Sequence, residues 1–184
     1  MIFKEHSKIK GQHSFLSASK YHWIRYDELK LEETFINAIA AQRGTELHAL
    51  AAEAIRMRVK FEGNDTLAQY VNDAVGYRMN SEQVLYYSQN CFGTADAISY
   101  GQGKLRIHDL KTGVNKANMD QLLVYAAIFC LEYRVKPSDI TIVLRIYQNE
   151  EIEEYEPTYD EIIPIMEKIV DFDQRIEALK AEVL

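Results

Sequence analysis

Two runs rich in β-branched and aromatic residues, Cys91 to Tyr100 and Lys104 to Thr112, flank the tripeptide Gly101-Gln102-Gly103. A tight glycine turn between such runs predicts an antiparallel hairpin. An apolar stretch from Leu122 to Leu131 follows closely and predicts a helix buried nearly all round. With helical periodicity before this block and a further strand-like run after it, the chain reads as α/β, a mixed and mostly antiparallel sheet flanked by helices.

The hairpin also concentrates unlike polar groups. Side chains alternate faces along a strand, so Asp109 and Lys111 emerge on one face, roughly 7 Å apart at Cα. Leu110 between them points the other way, into a core. Asp96 lies on the partner strand, and simple hairpin register brings it to the Asp109 end. Two carboxylates converging from neighbouring strands suit a hard divalent cation such as Mg²⁺, which prefers oxygen ligands. A lysine beside them can hold a phosphate or help position and deprotonate an attacking water. Asp-x-Lys triplets alone are common by chance and would read as a weak exposed pair. Gln121 and Tyr125, four apart, add a polar edge on one face of the following helix, at its N-terminal end.

Gly-x-x-Asp ending at Asp96, then a hydrophobic strand closing in Asp109-Leu110-Lys111-Thr112-Gly113, then Gln121-x-x-x-Tyr125, resembles the core of the PD-(D/E)XK nucleases. The likeness is closest to their RecB-like and phage lambda-exonuclease-like branch. That branch has a Gly-x-x-x-His on an upstream helix, and Gly44 to His48 stands in the matching order. The resemblance spans residues 17–147. It implies metal binding by His48, Asp96, Asp109 and the backbone carbonyl of Leu110, with Lys111 as the catalytic lysine. Gln121 and Tyr125 would support that lysine or contact the DNA backbone. Glu46 lies about 200° around the helix from His48 and is left outside the ligand set.

The activity implied is that of a Mg²⁺-dependent DNA exonuclease resecting duplex ends in phage-type recombination, beside a single-strand annealing protein. Some members form ring-shaped homo-oligomers that thread DNA. An endonuclease or structure-specific nuclease on the same fold is the alternative within enzymes. A non-enzymatic DNA-binding or interaction module is the alternative outside them, although such a module has no need to keep His48, Asp96, Asp109 and Lys111 together. Oxygen-rich sites with one His accept Mn²⁺ as well as Mg²⁺. Some relatives hold an iron–sulfur cluster; with only Cys91 and Cys130 in the chain, a four-cysteine cluster is excluded.

Composition sets bounds on these readings. A chain of 184 residues with 47% hydrophobic and 27% charged residues is of ordinary globular make-up and single-domain length. Its net charge of −7 counts mildly against a nucleic-acid partner. The acid is concentrated, however: residues 121–184 hold fourteen Asp and Glu against six Lys and Arg. Two cysteines read as small core residues of a cytoplasmic protein. No secretion signal is expected, and the apolar runs are too short to span a membrane.

Along the chain, residues 1–13 read as a flexible arm whose Lys4, Lys8 and Lys10 could touch phosphate. Residues 14–80 form a helical part, opened by a short helix capped by Ser17. A long helix over 31–61 follows, with Gly44 interrupting it, and another runs from Asp65 or Thr66 to near Asn80. A helix-interior glycine costs about 1 kcal/mol against Ala and so implies close approach of something at Gly44, or a helix junction. Residues 81–156 form the sheet core, with the buried helix at 117–134. The acidic run Glu150 to Glu156 is placed on a sheet edge, and Glu82 near the edge of the first strand as an acid outside the ligand set. Residues 157–184 form a C-terminal helix. His108 faces away from Asp109 and reads as structural.

Overall fold

The computed structural model describes residues 5–183. Met1 to Lys4, which include one of the three lysines of the expected arm, lie outside the described residues, as does Leu184. The chain divides into two compact units, residues 1–43 and 44–184. The boundary falls inside the first helix, α1 (Glu28–Met57).

In the first unit, Ala18–Arg25 forms a 3-10 helix, not an α-helix. The expected Ser17 cap is absent: its hydroxyl meets that of Ser19 at 2.8 Å, and its carbonyl accepts the Trp23 indole N–H at 3.0 Å. The side chain that does cap a helix here is Asp27, whose carboxylate accepts the Lys30 amide at 2.8 Å. It starts α1 three residues before the expected Leu31. Phe15 packs edge-on against Phe35, with centroids 5.2 Å apart.

α1 is one continuous helix, and Gly44 does not break it. The second unit continues with α2 (Thr66–Gly76), capped by Asp65, which accepts the Ala68 amide at 2.9 Å. α2 ends four residues before the expected Asn80, because Arg78 takes a left-handed φ of 54° that no helix continues through. A single sheet then follows: β1 (Asn80–Ser88), β2 (Cys91–Gly101), β3 (Lys104–Leu110), β4 (Thr141–Gln148) and β5 (Glu151–Tyr155), in that spatial order. α3 (Asp120–Tyr133) crosses from β3 to β4, and α4 (Tyr159–Val183) closes the chain.

The pairing is antiparallel throughout except for β3 with β4, which run parallel. The β2–β3 turn has positive φ at Gln102 (51°) and Gly103 (70°), as a two-residue hairpin turn matched to strand twist requires. The acidic β5 lies on the sheet edge, exposed along its length, where its charges oppose pairing with another chain.

Two apolar layers sandwich the sheet. On one face α3 supplies Leu122, Ala126 and Phe129 against Ile98, Leu105, Ile107 and Leu144, with Ile162 of α4. On the other, α2 and the end of α1 pack Val71, Ala74, Ala51 and Ile55 against Ala97, Leu110 and Tyr147. Cutting a side chain such as Ile107 or Leu144 back to Ala should cost about 2–5 kcal/mol. Cys91 and Cys130 are free thiols, Cys130 buried within α3. Among the described residues no helix is long and apolar enough to cross a membrane.

Candidate functional site

The β2–β3 ladder runs from Gly101↔Lys104 to Ala97↔His108, so the next cross-strand position sets Asp96 opposite Asp109. There the regular pairing stops. The Leu110 amide donates to the Asp96 carboxylate at 3.0 Å, so a side chain takes over a backbone partner's role. On the other flank of β2, β1 pairs at Ser81↔Ala97 and Gln83↔Ala95, and Glu82 between them faces Asp96 in register. Glu82 holds a φ of 51°, a left-handed conformation rare for a non-glycine residue within a strand.

α1 brings in the imidazole. His48 Nδ1 lies 3.3 Å from the Asp96 carboxylate, both groups half-buried. One ligand-type atom from each of His48, Glu82 and Asp96 lies within 4.8 Å of the others. Glu82, expected to stay outside, is therefore a member of this cluster. Leu110 buries its side chain on the α2 side, as strand alternation requires.

Asp109 turns toward the lysine. Its side chain is 3% exposed, and Lys111 Nζ stands 3.0 Å from Oδ2 and donates to Oδ1 at 3.3 Å. Oδ2 itself receives no aligned hydrogen bond in the protein. From Lys111 a polar chain runs on: Nζ donates to Gln121 Oε1 at 2.8 Å, and Gln121 Nε2 donates to the Tyr125 hydroxyl at 3.1 Å. The Tyr125 hydroxyl donates to the Thr94 carbonyl at 2.7 Å. Helix spacing puts Gln121 and Tyr125 on one face, and Tyr125 returns the chain to β2, two residues from Asp96.

Two glycines make this closeness possible. A Cβ on Gly44 would stand 2.6 Å from the Thr112 hydroxyl, and one on Gly93 would stand 2.8 Å from the Tyr125 ring. The glycine inside α1 thus admits the residue next to Lys111, which answers the expectation of a close approach. Neither Thr112 nor Thr94 carries a sequence signal for these roles.

The acids sit in an unfavourable field. Burial first, and then the neighbouring Asp109 charge, push Asp96 up to about 6, against the opposing pull of the Leu110 amide and His48. Burial also raises Asp109, with Lys111 the main counterweight. The buried Tyr70 hydroxyl is raised by burial and by the charges of Asp96, Asp109 and Glu82. Of these carboxylates Asp109 pairs with the Lys111 ammonium and Asp96 with His48, and Asp109 Oδ2 is buried without an aligned hydrogen bond. A set of hard oxygens with one imidazole, short of positive charge, fits a small divalent cation. A hollow of about 410 Å³ between β1, β2 and α3 is lined by Leu85, Ile98, Tyr100 and Phe129, apart from the acid cluster.

His108 lies on the opposite face and is fully buried. Its Nδ1 lies 3.2 Å from the Tyr147 hydroxyl, which itself donates to Asp73 at 2.7 Å. With that hydroxyl proton committed, Nδ1 is the protonated nitrogen, and Nε2 is left as a lone pair without a partner. Burial, Arg145 and Arg106 lower its pKa to about 3, so the ring is neutral. It serves the fold and not the acid cluster. Comparisons of the chain with protein-family models, with curated proteins and with solved structures each return no match.

Proposed function

We propose that this protein is a divalent-metal-dependent deoxyribonuclease of PD-(D/E)XK type, acting as an exonuclease on duplex ends. The observation that carries the reading is the polar chain Asp109–Lys111–Gln121–Tyr125 standing beside the His48–Glu82–Asp96 cluster. Side chains from α1, β1, β2, β3 and α3 meet there, and Lys111 is the cationic partner of Asp109 within the polar chain. Asp109 Oδ2, buried and held by the Lys111 ammonium at 3.0 Å without an aligned hydrogen bond, has room for a further partner.

His48, Asp96 and Asp109 would hold the ion, with Glu82 beside them and the Leu110 carbonyl as a backbone ligand. When bound, Mg²⁺ or Mn²⁺ supplies neutralisation of phosphate charge and a water of lowered pKa. Lys111 has three N–H donors, of which Asp109 and Gln121 engage two. The third would meet a phosphate oxygen and stabilise charge that develops there. Gln121, held by Tyr125, fixes the direction of that ammonium. Tyr125, tied to Thr94, keeps α3 and β2 in step, so the lysine and Asp96 keep their spacing.

The test is a paired digestion of linear and closed circular duplex DNA with Mg²⁺ or Mn²⁺, against EDTA and an Asp109→Ala control. Metal-dependent loss of the linear form alone is the expected result. Cutting of both forms would replace the exonuclease reading by an endonuclease. Binding of DNA without cleavage under either metal would replace it by a non-enzymatic module.

A further inference from the structure

We infer that Gln148, the last residue of β4, is the positioning residue for Lys111, acting through the segment that joins Lys111 to Gln121. That segment, residues 112–119, has no regular structure, and Thr112 to Lys116 are exposed. Left to itself it would be free to shift. Gln148 is 9% exposed and spends its carboxamide on this one segment. Its Nε2 donates to the Gly113 carbonyl at 2.6 Å and the Asn115 carbonyl at 2.7 Å, and its Oε1 accepts the Ala117 amide at 3.0 Å. One side chain thus fixes three alternate residues of a strap. The strap's first end is set by the same strand, because the Lys111 amide donates to the Tyr147 carbonyl at 2.9 Å.

The consequence lies at the strap's two ends. Lys111 and Gln121 join there at 2.8 Å, and the ammonium points where that contact directs it. A carboxamide is the group this task needs, since it must donate twice and accept once from a buried position. Methionine fills a similar volume and can do none of these. Glutamate keeps the acceptor for Ala117 but faces two carbonyls with a carboxylate. If Gln148 merely supported the fold, its bonds would serve the sheet; all three go to the strap.

This inference rests on the nuclease reading for its kinetic arm only. The experiment uses the full chain with Gln148→Met and Gln148→Glu. Hydrogen exchange is followed over residues 111–119 and over the core strands, and Mg²⁺-dependent degradation of linear duplex DNA gives kcat and KM. In both variants exchange in the strap should rise while β3 and α3 stay protected. kcat should fall about tenfold or more with KM within about twofold, because a displacement near 1 Å in a catalytic group is felt in the rate. Unchanged strap exchange would overturn the inference. So would faster exchange with unchanged kcat in an enzyme that Lys111→Ala inactivates, while leaving the nuclease reading intact. Global unfolding of both variants would overturn it too, by making Gln148 a support of the whole sheet. If the wild-type protein cuts no DNA, the nuclease reading fails alone, and strap exchange still decides whether Gln148 is the clamp.

Discussion

Asp96→Asn should make the metal-free protein more stable at pH 8 while abolishing metal-dependent DNA cleavage. Asparagine matches aspartate in shape, keeps an oxygen for the Leu110 amide, and removes only the charge. The folded protein holds the Asp96 proton up to about 6, against an ordinary value of 3.8. A carboxylate with a raised folded pKa is at no disadvantage below 3.8 and costs stability progressively as pH rises through 6. The shift corresponds to about 3 kcal/mol. Part of it belongs to the mutual repulsion with Asp109, so the expected gain for the variant is about 2–3 kcal/mol above pH 7 and near zero at pH 4.

Urea unfolding in EDTA from pH 4 to 8, taken as the difference between variant and wild type, cancels the titrating groups that do not interact with Asp96. Added Mn²⁺ or Mg²⁺ should stabilise the wild type at pH 8, since the ion needs the ionised carboxylate, and should do little for the variant. A variant that is less stable at pH 8, or whose gain is the same at every pH, would refute the reasoning. It would mean that the Asp96 charge is well compensated by the protein alone, and that the acids have no deficit for a cation to fill.

Lys111→Met should abolish cleavage and leave the buried Asp109 without its cationic partner, lowering stability at pH 8 by about 2 kcal/mol or more by chemical denaturation, with recovery as pH falls and Asp109 takes up a proton. Gly93→Ala brings a methyl to 2.8 Å from the Tyr125 ring, and should cost about 1–3 kcal/mol together with a loss of cleavage that DNA digestion reads, because the ring must move away from Gln121. His108, neutral and with a pKa lowered to about 3, contributes stability that is complete above 6.5 and is lost as pH falls from there toward 3, up to about 4–5 kcal/mol. His108→Phe should remove that acid-side loss from the unfolding curves and leave cleavage in place.

What could be read in the chain was what depends on neighbours in sequence. The β2–β3 hairpin follows from its strand formers and the Gln102-Gly103 turn, and its simple register sets Asp96 opposite Asp109. The helical spacing of Gln121 and Tyr125 puts them on one face. The acidic run at β5 stands on the sheet edge as its charges suggest. What was missed at the site depends on residues far apart. Glu82 enters the acid cluster because β1 pairs on the far side of β2 from β3, and because its backbone turns left-handed; composition around Glu82 signals neither. The Ser17 cap was missed for a local reason: a contact with Ser19, two residues on, took its hydroxyl instead.

The same distinction separates the net charge of the chain from the charge at the site. The excess acid of the last third lies largely on β5 and α4, where it has local work. Glu154 of β5 and Asp73 of α2 share Arg145, while Asp173 and Glu177 of α4 hold Asn90 at the β1–β2 turn. These charges protect an edge and tie helices to the sheet, and they are exposed enough to be screened by salt. The acids of the candidate site are few and set close together, with Asp96 and Asp109 drawn in from solvent and Glu82 exposed. In the proposed reading what matters is the local charge imbalance among Glu82, Asp96, Asp109 and Lys111, and a sum over the whole chain is insensitive to it. Neutralising exposed acids on α4, such as Glu182→Gln, should therefore leave the pH dependence of the Asp96→Asn difference unchanged, whereas neutralising Asp109 should shrink it.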